Sequence, residues 1–559
     1  MSWLLVALLA VASFYLFYLD LRSGLVVGQD IQYELVCLIE FKEALATQIY
    51  PRLAPDLHFG YGSPIFIFYP PLFMLLTSLV DFVFDNLNYS AKFVIAGLGV
   101  MGSLFCYAFL RLFASRGAAL LGTVFFIFAP YKFIEIYRRS AFAEYTAMSL
   151  VPAVFYYLAS AFIRKKTTST GPQLGLFIGS ALLLLSHPLS FLLAFPFLIA
   201  AALCFYWKAG SDSSSALFRV VATVAMAVGA TSFYLVPAFF YRDLVRMEEL
   251  LTGKFHFGQN FIDLRELFFD AASFYYQSPL PAVILVGAAV VLLARGFRFE
   301  ESPLGWLGLG SALMTFFMMT PFSAVLWAKL PMIAYVQFPA RFLLLSGFFV
   351  CWLVAFLADQ IRRRRMWMPG AVVGSVVALL WIHQGQYPAV NTLDASQMWP
   401  ERILEWNLPA ATDRDEYLPK AMHNRIAKGT SERWKAVFGG SSNYATARPI
   451  HYKRCDAFPE AMRTRFALTN FPFWQVSVDG VVVSYSPDAP ALEFDVPAGA
   501  HCVEAKLVYP VAMIAGFVLS GCSLAAFLLV LRLGERLVGV CARQTKLRDG
   551  QSREQGLRH

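Results

Sequence analysis

The 559-residue chain is 58% hydrophobic and 16% aromatic, with only 15% charged residues. A water-soluble core cannot absorb that much apolar surface, because interior volume grows too slowly with chain length. The net charge of +9 falls in short basic clusters between apolar runs, the positive-inside pattern of membrane proteins rather than a nucleic-acid surface.

Apolar runs of roughly 17–25 residues recur along the chain and predict about twelve transmembrane helices. The first, Trp3 to Leu19, has the length of a signal peptide. It lacks a basic n-region and a small-residue cleavage site, so it reads as a retained helix. A polar loop at 20–64 then lies outside. Ile65 to Phe84 is apolar, but Tyr69-Pro70-Pro71 opposes a straight span at its start and predicts a re-entrant or interfacial helix. Spans follow at about 91–112, 117–135 and 144–163. The stretch 174–207 divides at Ser186-His187-Pro188 into two helices that meet outside. Further spans cover 217–239, 279–296, 304–320, 340–358 and 369–385. Arg111, Arg116, Arg164, Lys208, Arg295 and Arg362 to Arg365 then fall on the cytoplasmic face. Residues 1–385 thus form one transmembrane domain.

Residues 386–510 are polar and contain no span. Their end alternates in strand fashion, as in WQVSVDGVVVSYS, with Asp479-Gly480 as a turn signal. This predicts a small extracytoplasmic β-sandwich, anchored by a last helix at 511–531 and followed by a basic cytoplasmic tail at 532–559. Cys106, Cys204, Cys351 and Cys522 lie in apolar runs and suit packing. Cys455 and Cys502 share the outer domain, where a disulfide and two free thiols are both open.

No nucleotide-binding glycine loop, HExxH or GxSxG stands in a supporting context. The chemistry-bearing residues gather at the outer rim. Asp30 and Glu34, in GQDIQYELVCLIEFKEAL, share one helical face, and rim carboxylates beside aromatics can serve as general bases. The bland alternative is an amphipathic helix with a solvated acidic face. In the next segment Gly60, Gly62 and Pro64 permit sharp turns, while Tyr61, Phe66, Phe68 and Tyr69 offer aromatic platforms for sugar faces or a lipid tail. An interfacial aromatic belt has the same composition. His58 reads as an exposed substrate-binding candidate beside Gly60. Glu144 opens a helix from the outside after Arg138 and Arg139. It reads as an acid supporting the site or as a charge favoured at a helix N-terminus. Arg341 either grips a lipid phosphate or snorkels to a headgroup. His187 reads as a ligand contact or as a packing histidine at its turn.

Several segments carry a family resemblance: EFKEAL..QIYPRLAPDLHFGYGSPIFIFYPPL, RRSAFAEYTAMSLVP, LLLLSHPLSFLLAFP, VQFPARFLLLSGFF and the FPFWQVSVDG…VPAGAH module. Over nearly its whole length the chain resembles bacterial membrane proteins described as 6-pyruvoyl-tetrahydropterin-synthase-related, close to the YfhO-like group. The family name implies no pterin chemistry. These proteins resemble GT-C glycosyltransferases, in which an acid of the first outer loop is catalytic and the donor is a polyprenyl-phosphate sugar. The resemblance places that role on Asp30. Glu34 stands where the family often has His, so Asp30 acts alone, shares a proton with Glu34, or binds a divalent cation with it. It further implies a glycan, lipid or protein acceptor, membrane lipids as surroundings, no nucleic acid, and a bacterial inner-membrane location with the active face periplasmic or extracellular. In that frame Arg138 and Arg341 stabilise the departing phosphate. The rival expectation is a lipid-linked glycan transporter or a non-catalytic envelope assembly protein, a class that usually shows inverted repeats and mid-membrane polar groups.

Overall fold

The structure is a computed structural model that describes residues 3–8, 25–26, 28–163, 170–210, 213–263, 287, 303–330, 332–363, 392–393, 417–421 and 451–532. A short pairing of β1 (Leu25–Val26) with β2 (Thr392–Leu393) precedes α1 (Ile31–Thr47). The expected break at the diproline is present. A single turn at Ile65–Phe68 gives way to α2 (Leu72–Phe84), whose 13 residues are too short to cross a bilayer core of about 30 Å. Asn86 then caps α3 (Leu87–Leu110), its side chain accepting from the Tyr89 N–H.

The next span, α4 (Arg116–Arg139), breaks at Pro130 and ends in a π-helical turn at Ile134–Arg139. Ser140, at φ +57°, reverses the chain into α5 (Phe142–Ile163). Helices α6 (Gly171–Ser186) and α7 (Pro188–Ala209) divide at His187, as their sequence predicts. The span expected at 217–239 is bent within its length, and the one expected at 304–320 is straight but turns sharply at its end. The first, α8, joins Ser214–Ala230 to Ser232–Leu244 at 63°, and α9 joins Pro303–Met319 to Pro321–Lys329 at 90°. A tight turn at Pro339–Phe342 leads into α10 (Leu343–Arg363), and α11 (Val511–Arg532) ends the described chain.

Six helices among the described residues are long and apolar enough to cross a membrane, or eight if each bent pair is one span. Of the twelve expected, those at 3–19, 279–296 and 369–385 lie wholly or mostly outside the described residues. The protein is mostly helical and carries a small antiparallel-sheet domain.

Among the described residues that domain has six strands: β3 (His451–Phe458), β4 (Met462–Thr469), β5 (Trp474–Val478), β6 (Val481–Val483), β7 (Ala491–Val496) and β8 (Gly499–Leu507). One sheet runs β3-β8-β5-β6 and the other pairs β4 with β7. Phe466, Leu492 and Phe494 of the small sheet share one apolar cluster with Trp474, Val476 and Val503 of the large one, which makes a sandwich. Asp479-Gly480 forms the β5–β6 turn at positive φ, and Cys455 faces Cys502 across β3 and β8 in a disulfide.

Candidate functional site

The site begins where the chain enters α1. The backbone N–H groups of Gln29 and Asp30 donate to the carbonyls of Arg138 and Arg139, each at 2.8 Å. These carbonyls are available because α4 ends there and its last carbonyls have no partner within the helix; Ala141 N–H closes the π-helical turn on Glu135 O at 2.8 Å. Gly28 lies against Ser140 so closely that a Cβ would collide with it. Asp30 is the N-terminal flanking residue of α1 and stays half-exposed, as does Arg138.

One turn on, the Glu34 carboxyl is buried rather than solvated, which removes the amphipathic-helix alternative. It accepts from the Tyr69 hydroxyl at 2.5 Å and from the Phe142 N–H. Burial is the largest influence on Glu34, and with the neighbouring Asp30 charge it lifts the pKa from 4.5 to about 8. Glu34 is therefore neutral near pH 7. Around it Leu35, Leu38 and Phe41 of α1 pack on Phe66, Phe73, Val94 and Phe142, fixing the helix to the membrane domain.

Beside this pair lies a buried ionic cluster centred on Glu144. Arg139 Nη1 donates to Glu144 Oε2 at 2.9 Å and to Glu135 Oε1 at 2.7 Å. Arg341 Nε stands 3.2 Å from the same Glu144 oxygen, and the Tyr131 hydroxyl donates to Glu144 Oε1 at 2.9 Å. Two carboxyl groups and two guanidinium groups thus share one buried cluster. Arg341 Nη1 also donates to the Val336 carbonyl at 2.8 Å. His187 is within electrostatic range of Glu144, while its Nδ1 accepts from the Ser190 N–H at 3.2 Å and caps α7. Arg139, Glu144, His187 and Arg341, singled out separately along the sequence, meet here. Glu135 and Tyr131 were missed. Their signal was the i, i+4 spacing of Glu135 and Arg139 inside an apolar stretch.

Two expectations are corrected. His58 is not exposed: it is 4% accessible, at φ +55°, with Nδ1 3.2 Å from the Gly62 carbonyl. Burial lowers its pKa to about 4, so it is neutral and braces its own turn. Tyr61 is no open platform either, because it is buried and its carbonyl accepts from the Thr469 N–H at 2.8 Å. Thr469 Oγ1 donates to the Gly62 carbonyl at 2.5 Å, and Phe68 stacks on Tyr417. Tyr61, Gly62 and Phe68 thus seat the β-sandwich, while Phe66 packs on α1 and Tyr69 bonds to Glu34.

Among the described residues, one group of three carboxylates could hold a metal ion: Glu40, Glu43 and Asp56, with ligand atoms within 4.8 Å of one another. Glu40 and Glu43 lie roughly three to four turns along α1 from Asp30, and neither Asp30 nor Glu34 belongs to the group.

A partly exposed acid, hydrogen-bonded through its backbone to the turn that leads into a buried carboxyl–guanidinium network, marks the polar site of this mostly helical protein. Residues 66–399 match the profile of the 6-pyruvoyl-tetrahydropterin synthase related domain, a membrane protein family, and the chain belongs to that family. No curated protein matches it at a significant level. Two solved structures show partial likeness. The arabinofuranosyltransferase AftD from Mycobacteria is 16% identical, with a TM-score of 0.42 over 68% of this chain and 27% of that one. The Archaeoglobus fulgidus oligosaccharyltransferase is 14% identical, with a TM-score of 0.36 over 78% of this chain and 56% of that one. This chain therefore spans about a quarter of the first and just over half of the second.

Proposed function

We propose that this protein is a membrane glycosyltransferase that moves a sugar from a polyprenyl-phosphate donor to an extracytoplasmic glycan, lipid or protein acceptor. The observation that carries the reading is the placement of Asp30. It is the accessible acid of the site, and its own backbone is hydrogen-bonded to the turn bearing Arg138 and Arg139. An acid and two arginines within one hydrogen-bonded unit suit a reaction that removes a proton and releases a phosphate.

In this mechanism the Asp30 carboxylate takes the proton of an acceptor hydroxyl. The acceptor oxygen attacks the anomeric carbon, and the carbon–oxygen bond to phosphate breaks with its electron pair leaving on the phosphate. Arg138, partly exposed, and Arg341, whose side chain is 12% exposed, stabilise that departing anion. In-line attack inverts the anomeric centre. Glu34, neutral near pH 7, tunes Asp30 without competing for the proton. Glu144 and Glu135 hold Arg139 in place.

The test uses purified protein with polyprenyl-phosphate sugars, scored for release of polyprenyl phosphate. Asp30→Asn should express and fold while losing transfer by about 10²–10⁴-fold. Wild-type release from that variant removes Asp30 as the base. No release from the wild type with any donor, together with lipid-linked glycan crossing vesicles, turns the reading to a transporter.

A further inference from the structure

Arg52 lies in the segment after α1, away from the acidic site, and its environment is unusual. It is 3% exposed, yet its Nε and Nη1 are buried with no hydrogen-bond partner among the described residues. No carboxylate among the described residues is paired with it. Its guanidinium instead sits 3.7 Å over the ring of Tyr509, in the link between β8 and α11, and the Tyr509 side chain is also a hydrogen-bond partner. An aromatic face attracts a cation but neither neutralises it nor accepts its in-plane N–H groups. Buried polar groups are normally satisfied, so two unused N–H groups on one buried cation imply an acceptor anion.

The surroundings indicate what kind of anion. Tyr50 N–H donates to the Tyr509 hydroxyl at 3.3 Å, tying this segment to the start of α11. Ile49 and Val511, flanking the arginine and its aromatic partner in sequence, are 92% and 82% exposed. Apolar side chains that open beside the end of a membrane helix face lipid, and the headgroup layer begins at that level. Two open N–H donors on different edges of one guanidinium suit a phosphate, an anion with several acceptor oxygens.

We propose that Arg52 forms a phosphate-binding site at the outer end of α11, occupied by the phosphate of a membrane-lipid headgroup. The 17 residues of α1 separate it from Asp30 by on the order of 25 Å. It is thus distinct from the site proposed for sugar transfer and does not depend on that reading.

The experiment titrates delipidated full-length protein in maltoside detergent with three probes: short-chain phosphatidylglycerol, the matching diacylglycerol, and inorganic phosphate. Binding is read as a shift in melting temperature. The wild type should bind phosphatidylglycerol, and Arg52→Met should weaken that binding by at least about tenfold. Diacylglycerol should give no Arg52-dependent shift. Arg52→Lys, which keeps the stem and charge but not the fork, should fall between the two and serves if Arg52→Met does not fold. An equal Arg52-dependent shift with inorganic phosphate keeps the phosphate site but assigns it to a free anion. Equal binding by wild type and both variants, or no binding by the wild type to either phosphate probe, overturns the proposal.

Discussion

Glu34 holds a neutral carboxyl inside the protein, hydrogen-bonded to Tyr69 and to the first turn of α5. Its pKa of about 8 is raised above the unfolded value near 4.5, chiefly by burial. The stability this group contributes is therefore fully present below pH 4.5 and is lost as pH rises through about 8. The wild type should lose melting temperature between pH 5 and 9 relative to Glu34→Gln, which cannot ionise. Superimposable melting curves for the two proteins across that range would exclude a buried, neutral Glu34. At this scale the sequence showed which residues were unusual but not which were accessible. Asp30 and Glu34 stand one turn apart, and only packing distinguishes the half-exposed acid from the buried one. His58 was misread for the same reason: a histidine just before Gly60 and Gly62 has the composition of an open loop, while its burial comes from contacts that no local pattern encodes.

Among elements, helix positions were legible because hydropathy reports composition along the chain. The divide at His187 and the diproline break both follow from local backbone chemistry. Bends were not legible, since a hydropathy window carries no direction; the turns of α8 and α9 each fall within or beside one apolar run. The aromatic segment failed differently. Its partner Thr469 is 407 residues from Gly62, so composition showed flat side chains without showing what covers them. The sandwich itself was signalled by alternation, and Trp474 is 4% exposed within its shared core. Trp474→Ala should therefore cost about 3–5 kcal/mol of module stability. The readout is limited proteolysis of the membrane-embedded protein, with cleavage inside 451–507 expected to accelerate. Unchanged protease resistance at wild-type expression would show that this ring is not a core residue.

For the whole molecule, the placement of basic clusters predicts a single orientation. Arg362 to Arg365 and the C-terminus should map to the cytoplasm and the β-sandwich to the opposite side. Cysteine accessibility in intact cells checks this, with single cysteines placed in each loop. A cytoplasmic signal from 451–507 would reverse every face assigned here. The disulfide fits an oxidising compartment, which adds a second readout: alkylation without reductant should leave Cys455 and Cys502 unlabelled. The span count could not be read to the same standard. It depends on short and bent apolar helices such as α6, α8 and α9, whose length alone does not say whether they cross.

The ionic cluster has a history written into the order of synthesis. Glu144 is accompanied by Arg139 from within the same helical hairpin, so acid and base leave the ribosome almost together. Arg341 lies about 200 residues downstream. At roughly 5–20 residues per second it emerges some 10–40 seconds later. During that interval Glu144 has Arg139 as its guanidinium partner without Arg341. Arg341 then joins as the late ion that completes the pocket. Its arrival with α10 ties completion of the cluster to the closing of the helical bundle, so a chain truncated before residue 341 should be an inviting substrate for membrane quality-control proteases.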